Sequence, residues 1–174
     1  FDAVRVLNLP ADVGKWRVTA GILSKAGLEF ERFPAIDGGL PEHVDAWSEY
    51  EARGLELEIE RRINRRLIQS TGAWGYLATM EAVLEDARQN RHSSLLVFDD
   101  DVLLHRDFAE AIDAIVERLP EDALILYLGN SQVDPDQAHE IDEIFYHPGG
   151  EANGSFAVVM ASAAFDDLIA ATTR

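Results

Sequence analysis

The sequence predicts an α/β protein with a mostly parallel central sheet flanked by helices, and three observations carry that expectation. Short apolar runs alternate along the chain with segments of helical periodicity, the pattern of strands joined by crossover helices. The apolar run 95–98 ends in three consecutive aspartates, Asp99, Asp100 and Asp101, at the kind of strand end where open α/β sheets gather ligand chemistry. At 174 residues, 47% of them hydrophobic, the chain can bury a core of ordinary size. No internal repeat, low-complexity tract or linker divides it, so residues 1–174 are taken as a single domain.

The elements follow in order. Residues 4–9 are apolar and stop at Pro10, a first strand. Asp12 can cap a helix that carries Trp16, Ile22 and Leu23 and ends at Gly27. Residues 28–33, with Leu28, Phe30 and Phe33, form a second strand that halts at Pro34. The stretch 39–70 reads as a helical insertion. Leu55, Ile59, Ile63 and Leu67 are spaced as one apolar stripe, with Glu58, Arg61, Arg62, Arg65 and Arg66 around it, as in a salt-bridged surface helix; a phosphate-gripping basic face is the alternative. Thr71 and Gly72 introduce a helix marked by Trp74, Leu77, Met80 or Glu81, Leu84 and Ala87, and the strand 94–98 follows it. Asp107 caps a helix with Phe108, Ile112, Ile115 and Leu119 in register, closed by Pro120. A strand at 124–128 leads into a polar loop with Asp134, Pro135, Asp136 and His139. A short run at 144–146, a strand at 155–160 and a helix capped by Ser162 complete the chain.

Strand alternation would send Asp99 and Asp101 to one side and Asp100 to the other. Two carboxylates together, with no basic neighbour in sequence, raise each other's pKa unless a cation lies between them. Asp99 and Asp101 are therefore expected to hold Mg²⁺ or Mn²⁺, hard ions that take oxygen ligands. An acidic turn whose side chains cap backbone amides is the plainer alternative. A formal net charge of -17 argues against nucleic acid or anionic lipid as partners, because neutralising their phosphates takes clustered Lys and Arg. Lys15 and Lys25 are the only lysines, so a phosphorylated ligand would be held through the ion or a few arginines. The absence of cysteine removes disulfides, thiolate catalysis and Cys-based zinc sites together. His43, His92, His105, His139 and His147 lack metal-ligand spacing and read as surface or loop residues. No transmembrane stretch and no basic-then-apolar leader are seen, which makes the cytoplasm the expected compartment. Asn153-Gly154-Ser155 fits a glycosylation acceptor, although Gly154 more simply turns the chain into the next strand.

Taken together, an ordered set of motifs resembles glycosyltransferase family 25, which includes lipooligosaccharide galactosyltransferases and procollagen galactosyltransferase domains. The set comprises Val6-Leu7-Asn8-Leu9, Trp16-Arg17, the run from Glu31-Arg32-Phe33-Pro34 through Ala35-Ile36-Asp37-Gly38, and Gly72-Ala73-Trp74-Gly75. It continues with Leu96-Val97-Phe98-Asp99-Asp100-Asp101-Val102, Asp107-Phe108 and Tyr127-Leu128-Gly129. The resemblance covers nearly the whole chain. It implies a type A glycosyltransferase, Rossmann-like fold and a nucleotide-sugar donor, often UDP-galactose. It also implies Mn²⁺ or Mg²⁺ at Asp99 and Asp101, a saccharide or glycan acceptor and a place in lipopolysaccharide biosynthesis. Asn8, Leu9, Arg17, Ala35, Asp37, Trp74, Asp99 and Asp100 would then bind the nucleotide sugar, although Trp74 by itself reads as core on an amphipathic helix. The chain ends at Arg174, so the resemblance also implies a domain cut short at its carboxyl end.

The family is inverting, so a carboxylate base near the acceptor is expected, and Asp134, Asp136 and Glu151 are candidates by position. Two departures stand out. The family's Glu-Asp-Asp is Asp99-Asp100-Asp101 here, and its Gly-Cys-x-x-Ser-His pattern is represented by Gly75, Tyr76, Thr79 and Met80. Methionine in place of the histidine makes a catalytically silent carbohydrate- or partner-binding domain the alternative function. A phosphohydrolase of the haloacid dehalogenase type also ends a strand in Asp-x-Asp, but it would need a later lysine, and both lysines here precede the triplet.

Overall fold

The computed structural model describes residues 1–129, 136, 138–147, 154 and 156–172, with Ile59 described by its backbone alone. The chain runs β1 (Ala3–Asn8), α1 (Val13–Lys25), β2 (Glu31–Pro34), α2 (Pro41–Ala52), α3 (Glu58–Ile63), α4 (Thr71–Gln89), β3 (Ser94–Asp99), α5 (Phe108–Arg118) and β4 (Ile125–Gly129). It continues with β5 (His139–Glu140), β6 (Tyr146–His147), β7 (Ala157–Ala161), a 3-10 turn at Ser162–Ala164 and α6 (Phe165–Thr172).

Five strands form one mixed sheet in the order β2-β1-β3-β7-β4, and β5 pairs with β6 in a separate ribbon. β1 is parallel to both β2 and β3, whereas β7 runs antiparallel to β3 and to β4. β4 therefore points the same way as β3, and β7 alone runs against the rest. Leu95, Leu96, Val97 and Phe98 are all buried, as a strand covered on both faces must be. On one face Leu95 and Val97 pack with Val83, Leu84 and Phe165 from α4 and α6. On the other, Leu96 and Phe98 pack with Leu23 of α1, and Phe108 of α5 sits with its ring 6.3 Å from that of Phe98. The result is an α/β/α arrangement, a Rossmann-like architecture with one reversed strand. No helix among the described residues is long and apolar enough to cross a membrane.

Several expectations are corrected. The second strand begins at Glu31 rather than Leu28; Leu28 and Phe30 pack on the core before the ladder starts. The apolar stripe expected through 55–67 does not form one helix. Gly54 at φ +78 and Asn64 at φ +53 are left-handed, and each stops a helix there. The insertion folds instead around Glu60, fully buried, which accepts hydrogen bonds from the Tyr50 hydroxyl at 2.6 Å and the Leu67 amide at 3.0 Å. Arg66 lies over the Tyr50 ring at 3.6 Å and pairs with Glu60, so this arginine is part of a small core and not of a solvated face. Asp107 precedes α5 without capping it, its carboxylate turned to Arg106 at 3.3 Å. Ser162 opens a 3-10 turn ahead of α6 and does not cap that helix.

Candidate functional site

β2 lies on one side of β1 and β3 on the other, so the carboxyl ends of β1 and β3 flank a point where the chain leaves the sheet in opposite directions. Crevices at such switch points are where open α/β sheets bind ligands. A cleft of about 270 Å³ opens there. It is lined by Leu7 of β1 and Leu9 just after it, Asp12 and Lys15 of the α1 entry, residues 35–38, Gly72, Tyr76 and Thr79 of α4, and all three aspartates.

β3 ends at Asp99, and Asp100 and Asp101 already belong to a turn. Strand alternation therefore does not govern them, and the three carboxylates share one cleft instead of dividing between two faces. Asp99 is pinned by its amide, which donates to the Phe156 carbonyl at 3.1 Å. Its carboxyl accepts a hydrogen bond from Tyr76, but burial and then the charge of Asp101 push its pKa up to about 6. Asp100 is the most strongly held. Its Oδ2 accepts from Asn8 Nδ2 at 2.5 Å, its Oδ1 lies 3.4 Å from Lys15 Nζ, and its carbonyl accepts from Thr19 Oγ1 at 2.5 Å. Asp101 is largely exposed, with Lys15 Nζ at 3.7 Å. The positive charge that is missing beside the triplet in sequence thus arrives in space from α1.

Close backbone contact builds the opposite lip. A Cβ on Gly38 would stand 1.8 Å from the Thr71 carbonyl oxygen, and one on Gly75 would stand 2.5 Å from the Gly38 nitrogen. Only glycine permits that crossing. Thr79 locks it, accepting from the Ile36 amide at 2.9 Å while donating to the Gly75 carbonyl at 2.7 Å. Asp37 turns its carboxylate onto the Gly39 amide at 2.8 Å.

Of the expected site residues, Leu9, Ala35, Asp37, Asp99, Asp100 and Asp101 meet in the cleft. Asn8 lies beneath it, buried, its Oδ1 taken by Arg32 and its Nδ2 by Asp100. Arg17 is exposed on α1 outside the lining, and Trp74 packs on Tyr50 with ring centroids 5.4 Å apart. Asp136 is exposed in a turn, while Asp134 and Glu151 lie outside the described residues. Met80 packs with the core beneath the sheet and is not part of the lining. Lys15, Tyr76 and Thr79 also line the cleft and Thr19 braces it, site residues that the motifs do not announce. Gly72, Tyr76 and Thr79, spaced by four and three, share one helix face, a signal that was available in the sequence.

Among the described residues, no group of three or more His, Cys, Asp or Glu side chains is arranged to hold a metal ion by itself. The donor set fits a different arrangement, one or two carboxylates completed by phosphate oxygens of a ligand, which is how Mg²⁺ is commonly held. No model of a known protein family matches this chain. No curated protein matches it at a significant level.

Proposed function

We propose that the chain is a metal-dependent glycosyltransferase that moves a hexose, galactose foremost, from a UDP-linked donor to a hydroxyl of a saccharide acceptor. One observation carries this reading. Residues from four of the motifs behind the family resemblance, Leu7 and Leu9, residues 35–38, Gly72, and Asp99 to Asp101, are far apart in sequence yet converge on a single cleft. Among the described residues, five carboxylates, Asp12, Asp37, Asp99, Asp100 and Asp101, line that cleft against the one ammonium of Lys15. Such a surface repels a bare diphosphate and accepts it when a divalent ion stands between them.

In this reading Asp99 and Asp101 hold the ion, Asp100 stays anchored by Asn8 and shapes the turn, and the 35–38 lip borders the nucleoside. A bound Mg²⁺ or Mn²⁺ supplies positive charge beside the departing diphosphate. The acceptor hydroxyl oxygen bonds to the anomeric carbon as the bond from that carbon to the phosphate oxygen breaks. Its electron pair leaves with UDP, and the hydroxyl proton goes to a carboxylate base, for which Asp134, Asp136 and Glu151 remain the candidates. A silent, ligand-binding relative is the second reading, favoured by Met80 being core packing and by the lack of histidine among the described residues that line the cleft.

Thermal shift with UDP-hexoses in Mn²⁺ or in EDTA tests the proposal. A ligand at about 100 times its Kd should add about 2.7 kcal/mol, a rise of roughly 5–10 °C, in Mn²⁺ only. Asp101→Ala should abolish the rise. Equal shifts in EDTA would remove the metal, no shift with any nucleotide sugar would remove the donor, and binding without donor hydrolysis would select the silent reading.

A further inference from the structure

Among the described residues, Lys15 is the only lysine or arginine that lines the acidic cleft, and the fold fixes its place there. Asp12 caps α1 by accepting from the Lys15 amide at 3.2 Å, which fixes where the side chain departs. Thr19, one turn further along and so on the same helix face, bonds the Asp100 carbonyl and holds α1 against the 100–101 turn. Lys15 Nζ then lies 3.4 Å from Asp100 and 3.7 Å from Asp101, with the side chain half exposed. Two long, partly solvated contacts of this kind are weak and readily exchanged. Asp100 would not collapse on losing its lysine, because Asn8 holds its other oxygen.

We propose that Lys15 is an exchangeable counter-ion of this cleft. It neutralises Asp100 and Asp101 in the absence of ligand, competes with a divalent ion for that electrostatic position, and passes to the phosphates of an incoming diphosphate once the ion has entered. The inference rests on the proposed reading of the cleft as an ion and diphosphate site, and it adds a means of coupling the two ligands. Ion binding frees an ammonium for the phosphates, and phosphate binding draws away the ion's competitor, so each ligand strengthens the other.

Calorimetric titration of MnCl₂ alone, and then of UDP in saturating Mn²⁺, reads both halves. Lys15→Met should bind Mn²⁺ about tenfold tighter than the unaltered protein, since a like charge within about 4 Å of the ligands is gone, and should bind UDP about tenfold more weakly. Lys15→Arg should restore both values toward the original. Lys25→Met, which removes the same formal charge at the far end of α1, should change neither. Melting temperature confirms that each variant is folded. Mn²⁺ affinity unchanged or weakened in Lys15→Met would overturn the competition, and unchanged UDP affinity would overturn the handover. Wild-type protein that binds Mn²⁺ while Lys15→Met behaves identically leaves the ion site standing and sinks this inference alone. Failure of the wild type to bind Mn²⁺ both alone and in the presence of UDP would sink both.

Discussion

Polar side chains that fold away from water here are concentrated under the cleft. Of the four buried polar or charged residues among those described, Asn8, Thr19 and Thr79 each position a cleft segment, and Glu60 organises the neighbouring insertion. Asn8 shows the logic best. Its amide group donates to Asp100 and to the Asp12 carbonyl while its carbonyl oxygen accepts from Arg32, so three separate chain segments meet on one side chain. Asn8→Asp, nearly isosteric, would replace those donors with a second carboxylate facing Asp100. The expected cost is about 2–4 kcal/mol in urea denaturation at pH 7, together with loss of cleft order. A cost under about 0.5 kcal/mol would show that Asn8 is not the anchor described. At this scale the aspartates and the Asp37 lip were legible, because runs of carboxylate and a strand-end Pro-Ala-Ile-Asp-Gly stand out from any background. The partners were not. Lys15 and Tyr76 reach the triplet across 86 and 23 residues of chain, counted to Asp101 and Asp99, and nothing local to either announces the contact.

Elements are legible wherever periodicity and punctuation agree, as for α1, α4 and β3. They are illegible where a left-handed residue interrupts an apolar stripe, since Asn64 offers no stop as plain as proline. Two helical glycines give a sharp test of how the elements pack. In a helix interior, glycine to alanine ordinarily adds about 1 kcal/mol of stability. Gly21→Ala in α1 should do so, because a Cβ there meets nothing within 4 Å. Gly75→Ala in α4 should do the opposite, destabilising by about 2–4 kcal/mol, since its Cβ would press on the Gly38 nitrogen at 2.5 Å and the Ile36 carbonyl oxygen at 2.7 Å. Backbone atoms cannot rotate aside as a side chain can, so the lip and α4 must separate. Chemical denaturation of both variants measures the pair. A stabilising Gly75→Ala would mean that the lip is not seated on α4, and the cleft as described would lose one wall.

For the molecule as a whole, the alternation of strands and helices was enough to predict an α/β sheet, but not the reversal of β7. An apolar run such as Val158 to Met160 carries no direction, and only the pairing with β3 and β4 on either side fixes it. Charge was fully legible, and it bears on stability through two carboxylates shifted in opposite senses. Asp99, raised from 3.8 to about 6 by burial and by Asp101, holds its proton more tightly when folded; the stability this gives is complete below about pH 3.8 and is lost as pH rises through 6. Glu60, lowered from 4.5 to about 2 chiefly by the Tyr50 hydroxyl, stabilises the fold above about pH 4.5, and that contribution is lost as pH falls toward 2. Asp2, held low by the Ser93 hydroxyl, and Asp142, held low by the Ile144 amide, act in the same sense as Glu60. With a formal charge of -17 adding self-repulsion toward neutrality, stability should peak at roughly pH 5 and decline by pH 7. Urea denaturation from pH 3 to 8 tests this with two variants. Glu60→Gln should flatten the acid limb, and Asp99→Asn should flatten the decline between pH 4 and 7 and exceed the wild type in stability at pH 7. In the proposed ion site the same Asp99 proton would compete with the divalent ion, so Mn²⁺ affinity measured calorimetrically should weaken as pH falls below about 6. An Asp99→Asn profile superimposable on that of the wild type would show that Asp99 titrates as an ordinary exposed carboxylate, and the proposed ion site would then lack its buried ligand.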